Sequence, residues 1–237
     1  MNQRILIVRF GSLGDLLLTT PAVLNLKLAR PGDRITFLTK EQFAPLVSGF
    51  EGVDEVVALP DRASLRDLGS VLFDLDRRNF DLLLDLHGNI RSWMTRKFVA
   101  ANEKIVYPKR RIERRAAVKK KQIPRDYPHT IDLYNSTLEQ LGLPVPCKRP
   151  LLHPNGETSV DLPVSGADRP VVVIAPGAAH PNKQWPIQRF AETAAEIHAS
   201  TGAAIIWAVT SADAGHKEIG AKIPSDSLVA LVDCPVT

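Results

Sequence analysis

Two short stretches of this chain hold residue types suited to nucleotide and phosphate chemistry. The first is Arg9-Phe-Gly-Ser-Leu-Gly-Asp15, which follows an apolar run and precedes a helical one. Asp15 stands at the carboxyl end of that run, where open α/β sheets put their chemistry, or it could complement a helix dipole as a first-turn acid. The Gly-x-x-Gly spacing lacks the third glycine of the dinucleotide fingerprint. The second stretch is Pro176-Gly-Ala-Ala-His-Pro-Asn-Lys-Gln-Trp-Pro186. There Gly177 lets backbone approach a ligand, the following helix start offers N–H donors to a phosphate, and Lys183 adds a point charge. Pro186 is expected near N1. The plainer reading of this stretch is a capped loop with a surface lysine.

These turns need strands behind them and helices after them. Ile5–Val8 is short and β-branched, hence a buried strand. Leu16 to Leu28 is apolar at roughly helical spacing, interrupted at Pro21. Further strands are expected over Arg34–Thr39, Glu55–Leu59, Phe80–Leu86 and Lys104–Tyr107. Helices are expected over Gln42–Ser48, Leu65–Arg77, Ile90–Val99 and His129–Leu141, with Gly142 as a C-cap. Prolines at 144, 146, 150, 154 and 163 then mark a connection. A second cycle follows, with strands over Pro170–Ala175, Ala203–Val209 and Ser227–Val232 and helices over Ile187–Ser200 and Ala214–Ile223. Alternation of this kind implies a mostly parallel sheet with helices on both faces. The expected division is residues 1–145, a linker over 146–169, and 170–237, the last reading as incomplete for its architecture.

The chain has 237 residues, 24% of them charged and 44% hydrophobic, as in ordinary globular proteins. No apolar run approaches the ~18 residues needed to span a bilayer. The N-terminus enters its first strand too early for a signal peptide. Cys147 and Cys234 are too few for a disulfide framework or zinc site, so a reduced, cytoplasmic setting is expected. Net charge is +4, yet Lys104 to Arg125 holds ten Lys or Arg against the single acid Glu113. Basicity is therefore local and points to an anionic partner. Tyr107 within it and Tyr127 just beyond it are the sole aromatics at hand, and no recognition motif frames it, which argues against nucleic acid. A solvated charged loop is the alternative.

Taken together the motifs resemble glycosyltransferase family 9, the ADP-heptose:lipopolysaccharide heptosyltransferases. The resemblance rests on Arg9 to Asp15, Thr19 to Ala22, Asp85-Leu-His-Gly88 with Arg91-Ser92, His129-Thr-Ile-Asp-Leu-Tyr134, Pro176-Gly-Ala178 and Lys183-Gln-Trp-Pro186, all in the family's order. It implies an α/β fold of GT-B type, two Rossmann-like doubly wound parallel-sheet domains, acceptor on the first and ADP-sugar on the second. It further implies Asp15 as general base in an inverting displacement, with Gly177, Ala178, Lys183 and Asp213 toward the donor. Glu218 is a further ribose candidate. Gly14, Arg91, Arg111, Arg114 and Arg115 would face an anionic lipopolysaccharide-core acceptor, and Lys119 to Lys121 the inner face of the inner membrane. No metal or other cofactor is implied. Two departures stand out: Ala179 replaces a hydroxyl residue, and the family's Asp-(Ser/Thr)-Gly-x-x-His segment is absent.

Overall fold

The structure is a computed structural model that describes residues 2–122, 124–152, 169–178, 181–209, 222–223 and 227–232. Its first strand, β1 (Arg4–Val8), buries four consecutive residues, and their alternation divides the core into two layers. Ile5 and Ile7 face α2 (Thr20–Ala29), α3 (Ala44–Ser48) and α7 (Thr130–Glu139) through Leu26, Val47 and Tyr134. Leu6 and Val8 face α4 (Leu65–Asp76) through Leu68, Leu72 and Leu75. A strand covered on both faces has no polar side, which is why its sequence reads as a continuous apolar run.

With β2 (Arg34–Lys40), β3 (Glu55–Leu59), β4 (Phe80–Asp85) and β5 (Ala101–Val106), β1 forms a parallel sheet in the order β3-β2-β1-β4-β5. The chain winds outward from β1 in one direction through β2 and β3, then returns to its other side with β4. The carboxyl ends of β1 and β4 therefore border the switch-point crevice, where open α/β sheets bind ligands.

Three sequence expectations change in detail. The stretch around Pro21 is two helices, α1 (Leu13–Leu17) and α2, with Pro21 in the first turn of the second. The basic segment is not a loop: it holds α6 (Arg111–Lys120), bounded by left-handed residues Arg110 and Lys121, with no buried side chain. A helix without a buried face leaves no apolar periodicity to read. Strand β5 starts three residues before its expected position, with Asn102, Glu103 and Lys104 exposed at the sheet edge.

A separate unit follows, described by itself. Strands β6 (Val171–Ile174), β7 (Ala204–Val209) and β8 (Leu228–Val232) form a parallel sheet in that order. Helix α8 (Ile187–Thr201) packs Ala191 and Ala194 against a core centred on buried Trp207. The expected helix over Ala214–Ile223 lies almost wholly outside the described residues.

Candidate functional site

The crevice is built around Arg9, the first residue beyond β1. Its backbone N–H still bonds Leu38 O at 3.0 Å, so the side chain is aimed by the sheet itself. Only 5% of Arg9 is exposed. One guanidinium nitrogen donates to Leu86 O at 2.7 Å, and the group lies over the Tyr134 ring, 5.7 Å from its centroid. The other terminal nitrogen pairs with Asp15 Oδ2 at 2.5 Å. A buried cation so held is a fixed anchor rather than a swinging arm.

Asp15 stands in the first turn of the five-residue α1. Its carboxylate accepts from Arg9 and from Ser12 Oγ at 3.1 Å, both through Oδ2. No described residue hydrogen-bonds Oδ1, and the side chain is 41% exposed. Nor does the carboxylate take a backbone N–H, so helix capping does not account for its position. One oxygen is tied down and the other faces outward. Two glycines shape the approach. Gly11 has φ of +134°, and a Cβ there would meet the Phe43 ring at 2.8 Å. Gly14 is exposed and a Cβ on it would meet nothing within 4 Å, so the space beside Asp15 is open.

The opposite wall follows β4. Asp85 is wholly buried and accepts from His87 N–H at 2.9 Å, Gly88 N–H at 2.8 Å and Arg96 Nε at 2.9 Å. It pins the turn over which Lys109 Nζ and Arg111 Nη2 donate to Gly88 O, at 3.2 and 3.1 Å. Gly88 has φ of +61°, a left-handed position that suits glycine. Asn89 caps α5 (Ile90–Phe98) reciprocally with Ser92.

Cations dominate the site's electrostatics. Burial, then the positive charges of Arg9 and Lys109, push the His87 imidazole down to about 4. It is therefore neutral near pH 7, and its buried Nδ1 has no hydrogen-bond partner among the described residues. Burial, followed by Arg111 and Arg9, also lowers Lys109. Burial raises the phenols of Tyr107 and Tyr134, which pack edge to face at 5.0 Å. Such a crevice suits an anionic ligand.

His87 yields a test independent of activity. Its folded value lies below the ordinary 6.5, so the unfolded chain binds more protons between about pH 4 and 6.5. The associated stability is present above pH 6.5 and is lost as pH falls toward 4. In His87→Gln, the urea midpoint should fall less steeply across that window than in the wild type; parallel profiles would contradict the burial argument.

Of the residues expected from the sequence, Asp15, Gly14 and Arg111 meet at this crevice. Arg91 is half-buried in the first turn of α5, without a side-chain partner among the described residues. Arg114 borders a second hollow of about 410 Å³ with Arg125, Tyr127 and His129. Arg115 is exposed on α6. In the other unit, Gly177 and Lys183 are exposed and Gln184 Nε2 closes the turn onto Ala178 O at 2.9 Å. Pro186 is the N-cap of α8, one residue earlier than expected, and no side chain caps that helix. Asp213, Glu218 and Ala179 lie outside the described residues. Among the described residues no group of three or more His, Cys, Asp or Glu could hold a metal.

Sequence reasoning gave no role to Arg9, Tyr107, Lys109 or Asp85. Arg9 had a signal, since a charge directly after a fully apolar strand is rarely idle. His129 and Asp132 turn out to be a capping box at the start of α7, while Tyr134 of the same motif lies under Arg9.

Residues 70–231 match glycosyltransferase family 9 (heptosyltransferase). Lipopolysaccharide heptosyltransferase 1 of Pseudomonas aeruginosa is 30% identical over 104 residues, covering 40% of this chain and 29% of that protein. The chain thus matches less than a third of the length of such curated relatives. Among solved structures, a family 9 glycosyltransferase from Veillonella parvula superposes with a TM-score of 0.78 at 20% identity, covering 98% of this chain and 70% of that one. The E. coli heptosyltransferase WaaC with ADP-2-deoxy-2-fluoro heptose gives 0.69 at 18% identity, covering 98% and 77%. These likenesses show the GT-B fold.

Proposed function

This chain belongs to glycosyltransferase family 9, the heptosyltransferase family, and on that premise we propose that it moves a heptose or related sugar from an ADP-activated donor to an anionic lipopolysaccharide-core acceptor, with inversion. The observation that carries this reading is the divided carboxylate of Asp15, its Oδ2 held by buried Arg9 and its Oδ1 unengaged by the described residues. An acceptor hydroxyl donates its hydrogen bond to Oδ1. As its oxygen bonds to the anomeric carbon, the bond from that carbon to the diphosphate breaks, ADP departs, and the proton passes to Asp15. One base and one displacement invert the anomeric centre.

Residues 1–145 form the acceptor side in this reading, 170–237 the donor side, and 146–169 the linker. Arg91, Arg111, Arg114 and Arg115 answer the acceptor's phosphates and carboxylates, which the cationic crevice favours. Lys119 to Lys121, at the end of the uncovered α6, contact the inner membrane face from the cytoplasm. The diphosphate is received by backbone at Gly177 and Ala178, by Lys183 and by the uncapped start of α8, and Asp213 addresses the ribose.

Donor binding is the test. Calorimetric titration with an ADP-sugar should show saturable binding, and Lys183→Met should weaken it about tenfold, an exposed charge-assisted contact being worth about 1.4 kcal/mol. Absence of any binding would favour a non-catalytic module that holds an anionic glycolipid. Unchanged affinity in Lys183→Met would remove Lys183 from the site.

A further inference from the structure

Helix α5 is built inside out. Its buried residues are Ser92 and Thr95, which satisfy their own hydroxyls on Asn89 O and Arg91 O. Of its four large apolar residues only Met94 packs on the core, while Ile90 is 70% exposed, Trp93 45% and Phe98 54%. Phe73 on neighbouring α4, 64% exposed, extends this surface across a groove of about 380 Å³ lined also by Gly69, Leu72, Asp76, Met94 and Phe98. Capping accounts for buried Ser92, but folding does not account for the aromatic area that the outer face leaves in water.

The charges say what covers it. No acid occurs in α5, whereas Arg91, Arg96 and Lys97 do. Arg96 is committed to Asp85. Lys97 Nζ instead lies 5.2 Å from the Trp93 ring centroid and 5.7 Å from that of Phe98, and Arg77 stands 5.7 Å from the Phe73 ring. On α4, Asp67 is engaged in its helix cap and Asp76 accepts from Ala100 N–H, leaving Asp74 exposed. Aromatic rings carrying ammonium and guanidinium groups suit the headgroup layer of a bilayer, with rings at the acyl boundary and cations at the phosphates. A second copy is disfavoured: a two-fold contact through this face would bring one set of Lys97 and Arg77 cations near another.

We propose that the outer face of α5, extended by Phe73, docks the protein on an anionic phospholipid bilayer. The surface is separate from the catalytic residues and does not depend on the transferase reading. It starts at Ile90, two residues beyond Gly88 of the crevice, so docking there would bring the acceptor side to the lipid surface.

The test is flotation of the intact chain with vesicles of phosphatidylglycerol and phosphatidylcholine, against phosphatidylcholine alone. The wild type should bind the anionic vesicles. The double variant Trp93→Ser/Phe98→Ser should bind at least about tenfold less, and Lys97→Glu should lose affinity most clearly at low salt. Both variants change exposed side chains, and an unchanged urea midpoint would verify their folding. Vesicle binding equal to wild type in the double variant would overturn the proposal and leave any membrane contact to the cations of α6. A wild type that ignores vesicles but forms a dimer abolished by the double variant would also overturn it. Transfer to a soluble, lipid-free acceptor should be unchanged in these variants, which distinguishes failure of this proposal from failure of the catalytic reading.

Discussion

Replacing Asp15 by Asn should lower transfer about a thousandfold while the protein remains folded. The amide cannot accept the acceptor's proton, and general-base catalysis is worth about 10²–10⁴ in rate. It can still receive a hydrogen bond from Arg9, so the buried guanidinium keeps one partner besides Leu86 O and the Tyr134 ring. Asp15→Ala should be equally inactive but also less stable, by about 1–2 kcal/mol, because it leaves that cation without its counter-charge. The two variants therefore separate chemistry from packing: steady-state release of ADP reads the first, urea denaturation the second. An Asp15→Asn protein with near wild-type turnover would remove Asp15 from the reaction, whatever its stability. Loss of activity in Asp15→Ala alone, tracking its lost stability, would reduce Asp15 to a partner of Arg9.

The second large effect is structural. Asp85→Ala should destabilise the first unit by about 2–4 kcal/mol. The wholly buried carboxylate satisfies two backbone N–H groups and Arg96, and removing it strands all three donors. Arg96 is 28% exposed, so it can partly rehydrate, which keeps the cost below the upper range for breaking a buried ion pair. Thermal unfolding should move down by about 5–12 °C. Lys109 and Arg111 donate to the carbonyl of Gly88, in the turn that Asp85 holds. Their loosening should weaken acceptor binding more than donor binding. A loss under about 1 kcal/mol would show that water replaces Asp85 readily, contrary to its burial.

How far the sequence reached depends on the range of the interactions. The strands were legible because β1 and β4 each present runs of apolar residues bounded by charge or glycine, a local signal. The turn at Asp15 was legible because glycine spacing and one acid are adjacent in the chain. What made the turn a site was not legible. Arg9 bonds Leu86, 77 residues away, and rests on Tyr134, still more distant. Asp85 also takes Arg96, 11 residues on in α5. No pattern of types or spacing gives those pairings before the sheet brings the strands together. Helix α6 escaped for the opposite reason: it contacts too little to leave a periodic trace. The outward Trp93 and Phe98 were likewise invisible, because a helical spacing of aromatics reads as core until burial is known.

The central claim is that one carboxylate, Asp15, serves a single displacement at the anomeric carbon. The anomeric configuration of the transferred sugar, read by NMR on the product formed from a donor of known configuration, tests it most directly. The account requires the configuration opposite to that of the donor. Retention would contradict it, since retention by a covalent route needs a second displacement and a nucleophile on the sugar, a role Asp15 does not have in this account.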